Sequence, residues 1–341
     1  MPANLSPEYK DAQEAYRKAR DPEERLECLR EMLRTIPRHK GTERLQADIR
    51  TRLKELTGEL AAPRKGGARG GPPVAVRPEG AAQVALLGPP NSGKSSLHAR
   101  LTGSHALVGP YPFTTKVPLP GMLPHEDVQF QLVDLPPVAA DFMEPWMPNT
   151  LQNAEAALLV VDLGDPACVE QVAALRRRLE EKSLTLVEPG GPAAPHVHAE
   201  EGALGDPFRL HLPALLLASK SDRLADPEAE LEAFRQLAGH RFPALAVSAE
   251  TGHGLARLGP SLFEMLGVVR VYTKLPGHPA DRSRPFTVRR DGTVRDVARL
   301  VHRGLAAELK FARLWGSGKF DGEQVSAAHP VRDGDVVELH G

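Results

Sequence analysis

The sequence predicts an α/β fold whose core is a parallel sheet, preceded by helices and followed by a small sheet-and-helix unit. Three observations predict it. The apolar runs Val84–Leu87, Phe130–Val133, Ala214–Ala218 and Ala244–Val247 each end in a polar or glycine-bearing turn, as buried parallel strands do. A glycine-rich loop opens a helix directly after the first of these runs. Leucine periodicity fills the N-terminal sixty residues, and a Gly/Pro stretch separates it from the first strand. The divisions that follow are 1–60, 61–80, 81–267 and 268–341.

In chain order, Asp21-Pro22-Glu23-Glu24 reads as a helix start: an N-cap carboxylate, proline in the first turn and acids at the positive dipole end. Leu26, Leu29, Met32, Leu33 and Ile36 then recur on one face. Leu45, Ile49, Leu53, Leu56 and Leu60 follow at spacings of four and three, predicting a helical hairpin with its leucine stripe packed inward. Between them lies a basic elbow of Arg34, Arg38, His39, Lys40 and Arg44. Residues 61–80, rich in glycine, proline and arginine and poor in large apolar side chains, read as a flexible basic linker.

The loop Gly88-Pro89-Pro90-Asn91-Ser92-Gly93-Lys94-Ser95-Ser96 carries the chemistry. Strand, glycine-rich loop, helix is the context of a Walker A motif. Its glycines permit a tight turn, so that successive N–H groups face phosphate oxygens at the positive end of a helix dipole. Lys94 is placed to reach the β- and γ-phosphates and the Ser95 hydroxyl to ligate Mg²⁺. The loop predicts a nucleoside triphosphate as ligand.

Four later segments sharpen that expectation. Thr115, in Tyr111-Pro112-Phe113-Thr114-Thr115, is placed to complete the Mg²⁺ shell. Asp134, at the end of a strand, is the carboxylate for a Mg²⁺-bound water. Ser219-Lys220-Ser221-Asp222 and Ser248-Ala249-Glu250-Thr251-Gly252 follow two further strands, where a base is read. The Asp222 carboxylate can accept from both N1–H and the 2-amino group of guanine. Adenine offers a lone pair at N1 and nothing at position 2, so it would leave the carboxylate unpaired, and a site rejects such a ligand strongly.

Glu188 to Asp206 is irregular and contains His196-Val197-His198-Ala199-Glu200, read as a surface loop and not a metal site. In the tail, Thr293 caps a helix with apolar residues Val294, Val297, Leu300, Val301 and Leu305. Strands are expected at Val268–Lys274, Phe286–Val288, Phe311–Trp315 and Val336–Leu339. No nucleophile sits beside a base there, which predicts a binding module.

Formal net charge is −1. It is unevenly spread: Lys plus Arg against Asp plus Glu stand at 17 to 13 in residues 1–80, 13 to 22 in 81–267 and 13 to 9 in 268–341. An acidic centre with basic ends predicts that the ends, including Arg270, Arg289, Arg290, Arg295 and Arg303, meet RNA. Two distant cysteines, Cys28 and Cys168, encode no disulfide framework or zinc cluster and suit a reducing cytoplasm. No apolar run approaches a membrane span, and the N-terminus does not read as a signal peptide. No membrane partner is expected.

The Pro-Asn-x-Gly-Lys-Ser loop, Tyr111–Thr115 and Ser248–Gly252 resemble the Obg-like GTPases. The stretch Arg30–Glu43, with Arg270–Lys274 and Asp333–Leu339, resembles the developmentally regulated GTP-binding proteins. That resemblance implies a P-loop GTPase core, an N-terminal helical hairpin and a C-terminal TGS domain, a ubiquitin-like β-grasp. It implies GTP and GDP as ligands, Mg²⁺ as cofactor, action on RNA or the ribosome, and K⁺ held beside the phosphates by Asn91. Lys94, Asn91 and Thr115 would then be the catalytic set. Two positions depart from the pattern. Pro137 replaces the glycine whose N–H bonds the γ-phosphate, and proline has no N–H. Ser219 replaces an asparagine that braces the phosphate loop, which predicts weaker nucleotide affinity. The residues after the third motif, Val138, Ala139 and Ala140, supply no amide to orient water. Slow hydrolysis, a degenerate nucleotide-binding scaffold and, against the argument from Asp222, ATP use stay open.

Overall fold

The computed structural model describes residues 6–19, 22–37, 42–61, 76–104, 117–190 and 209–341. The N-terminal unit contains α1 (Pro7–Lys18), α2 (Pro22–Thr35) and α3 (Glu43–Ala61). Sequence reading expected a two-helix hairpin; α1 adds a third helix, its Ser6 hydroxyl accepting from the Tyr9 N–H. Tyr9 and Ala12 close a core with Leu29, Met32, Ile36 and Ile49, and Leu45, Leu53 and Leu56 pack on it. The leucine stripe is thus internal packing. Of the basic elbow, residues 38–40 lie outside the described residues, and Arg34 pairs with Glu31 on its own helix.

The central unit runs through β1 (Ala82–Leu87), α4 (Lys94–Thr102), β2 (Leu119–His125), β3 (Val128–Asp134), α5 (Met147–Leu151), β4 (Ala156–Asp162) and α6 (Cys168–Glu180). It continues through β5 (Leu184–Val187), β6 (Leu210–Ser219), α7 (Pro227–Ala238), β7 (Ala244–Ala246) and α8 (Leu258–Met265). The seven strands order as β2-β3-β1-β4-β6-β5, with β7 on the C-terminal half of β6. All pairings are parallel except the β2–β3 hairpin. Side-chain alternation along each strand divides two cores. Ala85, Leu87, Leu159 and Leu216 meet Val172 of α6 and Phe234 of α7; Val84, Leu86, Leu158 and Leu217 meet Leu97 of α4 and Leu262 of α8. Both faces are covered, so the carboxyl edge of the parallel strands is the place left for a ligand.

Residues 76–80, expected as the end of a flexible linker, instead pack on the sheet. Val76 is buried in the core, its carbonyl accepts from Gln83 Nε2 at 3.4 Å, and Gln131 Nε2 donates to Arg77 O at 3.1 Å. Residues 62–75 and 191–208, with His196 and His198, lie outside the described residues.

The C-terminal sheet has order β11-β10-β12-β8-β9. Its elements are β8 (Val268–Thr273), β9 (Asp281–Arg289), α9 (Val294–Val301), α10 (Arg303–Glu308), β10 (Phe311–Trp315), β11 (Glu323–Val325) and β12 (Asp335–His340). Thr293 and Asp296 form a capping box on α9. The single helix expected here is broken at His302, which is extended and whose ring accepts from the Gly304 N–H at 3.1 Å. Consequently Leu300 and Val301 are exposed, and only Val294 and Val297 of the predicted face enter the core.

Arg270 ties this sheet to the tip of the β2–β3 hairpin. Its guanidinium bonds Asp333 at 2.7 Å, Asp127 at 3.0 Å and Glu126 at 2.5 Å, and Tyr272 donates to Asp127 at 2.5 Å. These partners, Asp333 foremost, hold the Arg270 pKa above its ordinary value. Arg289 bonds Glu155 and the Ala81 carbonyl. Arg270 and Arg289 therefore serve the internal junction, contrary to the expectation that they face RNA.

Candidate functional site

The phosphate-loop geometry begins with two glycines. A Cβ on Gly88 would fall 2.3 Å from the Val160 carbonyl oxygen, so no side chain fits where the loop crosses β4. Gly93, at φ 89°, is the left-handed N-cap of α4. Between them Asn91 also has positive φ, at 59°, and is exposed. Pro89 and Ser92 are buried, while Pro90 and Ser96 are half-buried.

Lys94 is buried inside the loop. Its ammonium donates to the carbonyls of Gly88 at 3.0 Å and Pro89 at 2.8 Å, with Ser92 Oγ at 3.4 Å. Burial pushes its pKa down to about 8, against the pull of the Asp134 carboxylate. Ser95 Oγ donates to Asp134 Oδ2 at 2.6 Å. A hydroxyl and a carboxylate in contact at the base of the loop form a hard-oxygen pair of the kind Mg²⁺ prefers.

The carboxyl end of β6 grips the loop from below. Ser219 Oγ lies 2.5 Å from Ser92 O and 3.1 Å from Val161 O. The shorter residue thus still reaches the loop through its single hydroxyl. Lys220, at φ 55°, sends its ammonium to Asn91 O at 2.8 Å and Asp162 Oδ2 at 2.6 Å. Asp222 accepts from Ser248 Oγ, and this hydrogen bond holds its carboxyl below the usual range. Ser248 Oγ accepts from Thr251 N at 3.1 Å. Ala249 is half-buried and Glu250 exposed in the same turn.

After Asp134, Pro136 and Pro137 are buried, and the Val138 N–H donates to Gly88 O at 3.2 Å. The first backbone N–H beyond Pro137 is therefore engaged by the loop. Thr115, with residues 105–116, lies outside the described residues. Sequence reading missed Asp162, the acid closing the run Val160-Val161-Asp162, although its place at a strand's carboxyl end was a usable signal. It also missed His253, whose Nδ1 is 3.2 Å from Ser221 Oγ and whose carbonyl accepts from Ser248 N at 3.0 Å.

Residues 83–188 match the family described as 50S ribosome-binding GTPase, and residues 269–340 match the TGS domain. Developmentally-regulated G-protein 1 of Arabidopsis thaliana is 27% identical over 362 residues, spanning 91% of this chain and 88% of that protein. The chain thus carries a GTPase unit followed by a TGS domain, and along most of its length it is similar to developmentally regulated GTP-binding proteins. Another relative, Ribosome-interacting GTPase 1 of Saccharomyces cerevisiae, is 24% identical, covering 93% of this chain and 98% of its own. In fold, a GTP-binding protein from Pyrococcus horikoshii OT3 superposes with a TM-score of 0.50 at 14% identity, over 76% of this chain and 99% of that one.

For a nucleotide site of this kind, the lowered Lys94 pKa has a measurable consequence. Phosphate oxygens favour the ammonium, so nucleotide binding must raise that pKa and take up protons where Lys94 is partly neutral. Calorimetry with GDP at about pH 8.5, in two buffers of different ionisation enthalpy, is expected to show proton uptake, and affinity is expected to fall as pH rises above about 8. Buffer-independent heats at that pH would contradict it.

Proposed function

We propose that this GTP-binding protein selects guanine through Asp222, works with Mg²⁺, hydrolyses GTP slowly, and meets RNA or the ribosome through basic surfaces outside its P-loop unit. The observation that carries the reading is the Asp222 carboxylate, oriented by Ser248 beside the loop that Ser219 and Lys220 brace. An acceptor-only group fits the two donors of guanine and rejects adenine, which disfavours ATP use.

The Ser95 and Asp134 oxygens fit Mg²⁺: Ser95 would hold it directly and Asp134 through a bound water, and Thr115 is proposed as a further ligand from its place in the sequence. Bound there, Mg²⁺ would supply charge neutralisation for the transferred phosphoryl group. Lys94 would contribute the second positive charge, and K⁺, if held beside Asn91, would add a third. Slow turnover follows from Pro137, which donates nothing, and from Val138, whose N–H is engaged by Gly88. The same observation favours a second reading, a nucleotide-binding scaffold that does not switch; single-turnover hydrolysis separates the two. The distant Cys28 and Cys168, both free thiols, are consistent with action in the cytoplasm.

The macromolecular partner is assigned to the ends because residues 81–267 are acidic, at 13 basic against 22 acidic side chains. Both the matched family's description and the yeast relative's name point to the ribosome. With Arg270 and Arg289 committed to the junction, exposed residues such as Arg290 and Arg295 remain for phosphate contact.

Titration with GDP and ATP is expected to show a strong preference for GDP, and Asp222→Asn to erode it by at least tenfold, about 1.4 kcal/mol; equal affinities in the unaltered protein would refute guanine selection. Hydrolysis in KCl is expected to exceed that in NaCl at matched ionic strength, with Asn91→Ala removing the difference. Finally, Arg290→Glu with Arg295→Glu is expected to weaken ribosome co-sedimentation and flatten its salt dependence without altering GDP affinity. Unchanged co-sedimentation would move the contact elsewhere.

A further inference from the structure

We infer that Asp162 is a positioning residue of the nucleotide site, latching Lys220 onto the phosphate loop. The inference rests on the nucleotide-binding reading above and adds to it a residue with no motif of its own. Asp162 is the last residue of β4 and lies opposite Ser219 in the parallel register. Its two oxygens divide their work: Oδ1 accepts from the Gly164 N–H at 3.0 Å, and Oδ2 meets the Lys220 ammonium at 2.6 Å. The pair is mostly withdrawn from solvent, with side chains 27% and 22% exposed.

Lys220 stands in the left-handed region, where a residue with a Cβ is uncommon. That turn brings the side chain back over the loop, and the carboxylate restricts a long, rotamer-rich stem to the orientation in which Nζ also bonds Asn91 O. Ser219 holds the next carbonyl, Ser92 O. Two successive peptide groups of the loop are thereby tied through their oxygens from the end of β6.

A trans peptide is planar, with its N–H directed opposite to its C=O. Fixing the carbonyls of residues 91 and 92 therefore fixes the N–H groups of Ser92 and Gly93, the loop donors that a phosphate requires. Ser92 N makes only a 3.4 Å contact with Pro89 O, so little inside the loop holds it. Asp162 touches no phosphate; it acts through Lys220 and the peptide plane.

The test uses the full-length protein and the variants Asp162→Asn, Asp162→Ala, Lys220→Met and Asp162→Asn/Lys220→Met. Asparagine retains an acceptor for Gly164 while losing the ion pair. In the nucleotide-free state, hydrogen exchange at the Ser92 and Gly93 amides is expected to quicken in Asp162→Asn, with global unfolding unchanged. GDP is expected to dissociate roughly fivefold faster. The double variant is expected to match Lys220→Met alone. Exchange at wild-type rates in Asp162→Asn, or damage confined to Asp162→Ala, would overturn the latch and leave only a role in the Gly164 turn. A further loss on adding Asp162→Asn to Lys220→Met would overturn it as well. Failure of the unaltered protein to bind GDP would instead remove the nucleotide reading, and the exchange measurement still decides the latch.

Discussion

Everything at the carboxyl edge of the sheet depends on how closely residue 88 approaches β4. With 2.3 Å between a hypothetical Cβ and the Val160 carbonyl oxygen, only glycine lets the chain cross there. That crossing directs the Gly88 carbonyl toward two donors, the Lys94 ammonium and the Val138 N–H. One backbone oxygen thus joins the start of the phosphate loop to the lysine at its end and to the segment following Asp134. The same crossing brings Asn91 and Ser92 over the end of β6, within reach of Lys220 and Ser219. A side chain at residue 88 would displace all four contacts together.

Much of this was legible in the sequence because it depends on local rules. Buried parallel strands announce themselves as short apolar runs, and Gly88–Ser96 follows the strand that its motif requires. What escaped notice depends on partners remote in sequence. The sequence marks Ser219 only as a departure from asparagine; the register that sets it opposite Asp162 brings its hydroxyl to Ser92 O, 127 residues away. The periodicity of Val294 to Leu305 favours one helix, and the break at His302 became visible only with the ring's bond to the Gly304 N–H. The strand Glu323–Val325 is too short and too polar to read as one. Helix α1 shows itself chiefly through Tyr9 and Ala12, and two positions make a weak pattern.

Charge counting overlooks pairing within the chain. A basic tail beside an acidic core pointed to a polyanion at the tail, but part of that contrast is resolved within the chain. Arg270 meets Glu126 and Asp127, and Arg289 meets Glu155, so opposite charges recruit the two units to each other. Partly buried, multiply hydrogen-bonded arginines of this kind fix orientation more than they add stability. The remaining exposed arginines carry the argument for an external polyanion on a smaller charge than the sequence totals suggest.

The junction at Arg270 has a mechanical consequence. Strands β2 and β3 pair without interruption from Leu119 opposite Asp134 to His125 opposite Val128. At about 3.4 Å per residue they form a twisted ribbon on the order of 20 Å long. One end of this ribbon carries Asp134, in contact with Ser95; the other carries Asp127, clamped by Arg270 and Tyr272. A ribbon so paired transmits tilt more readily than it bends. The C-terminal sheet is thus fastened to the outer end of a lever whose inner end lies at the candidate metal site.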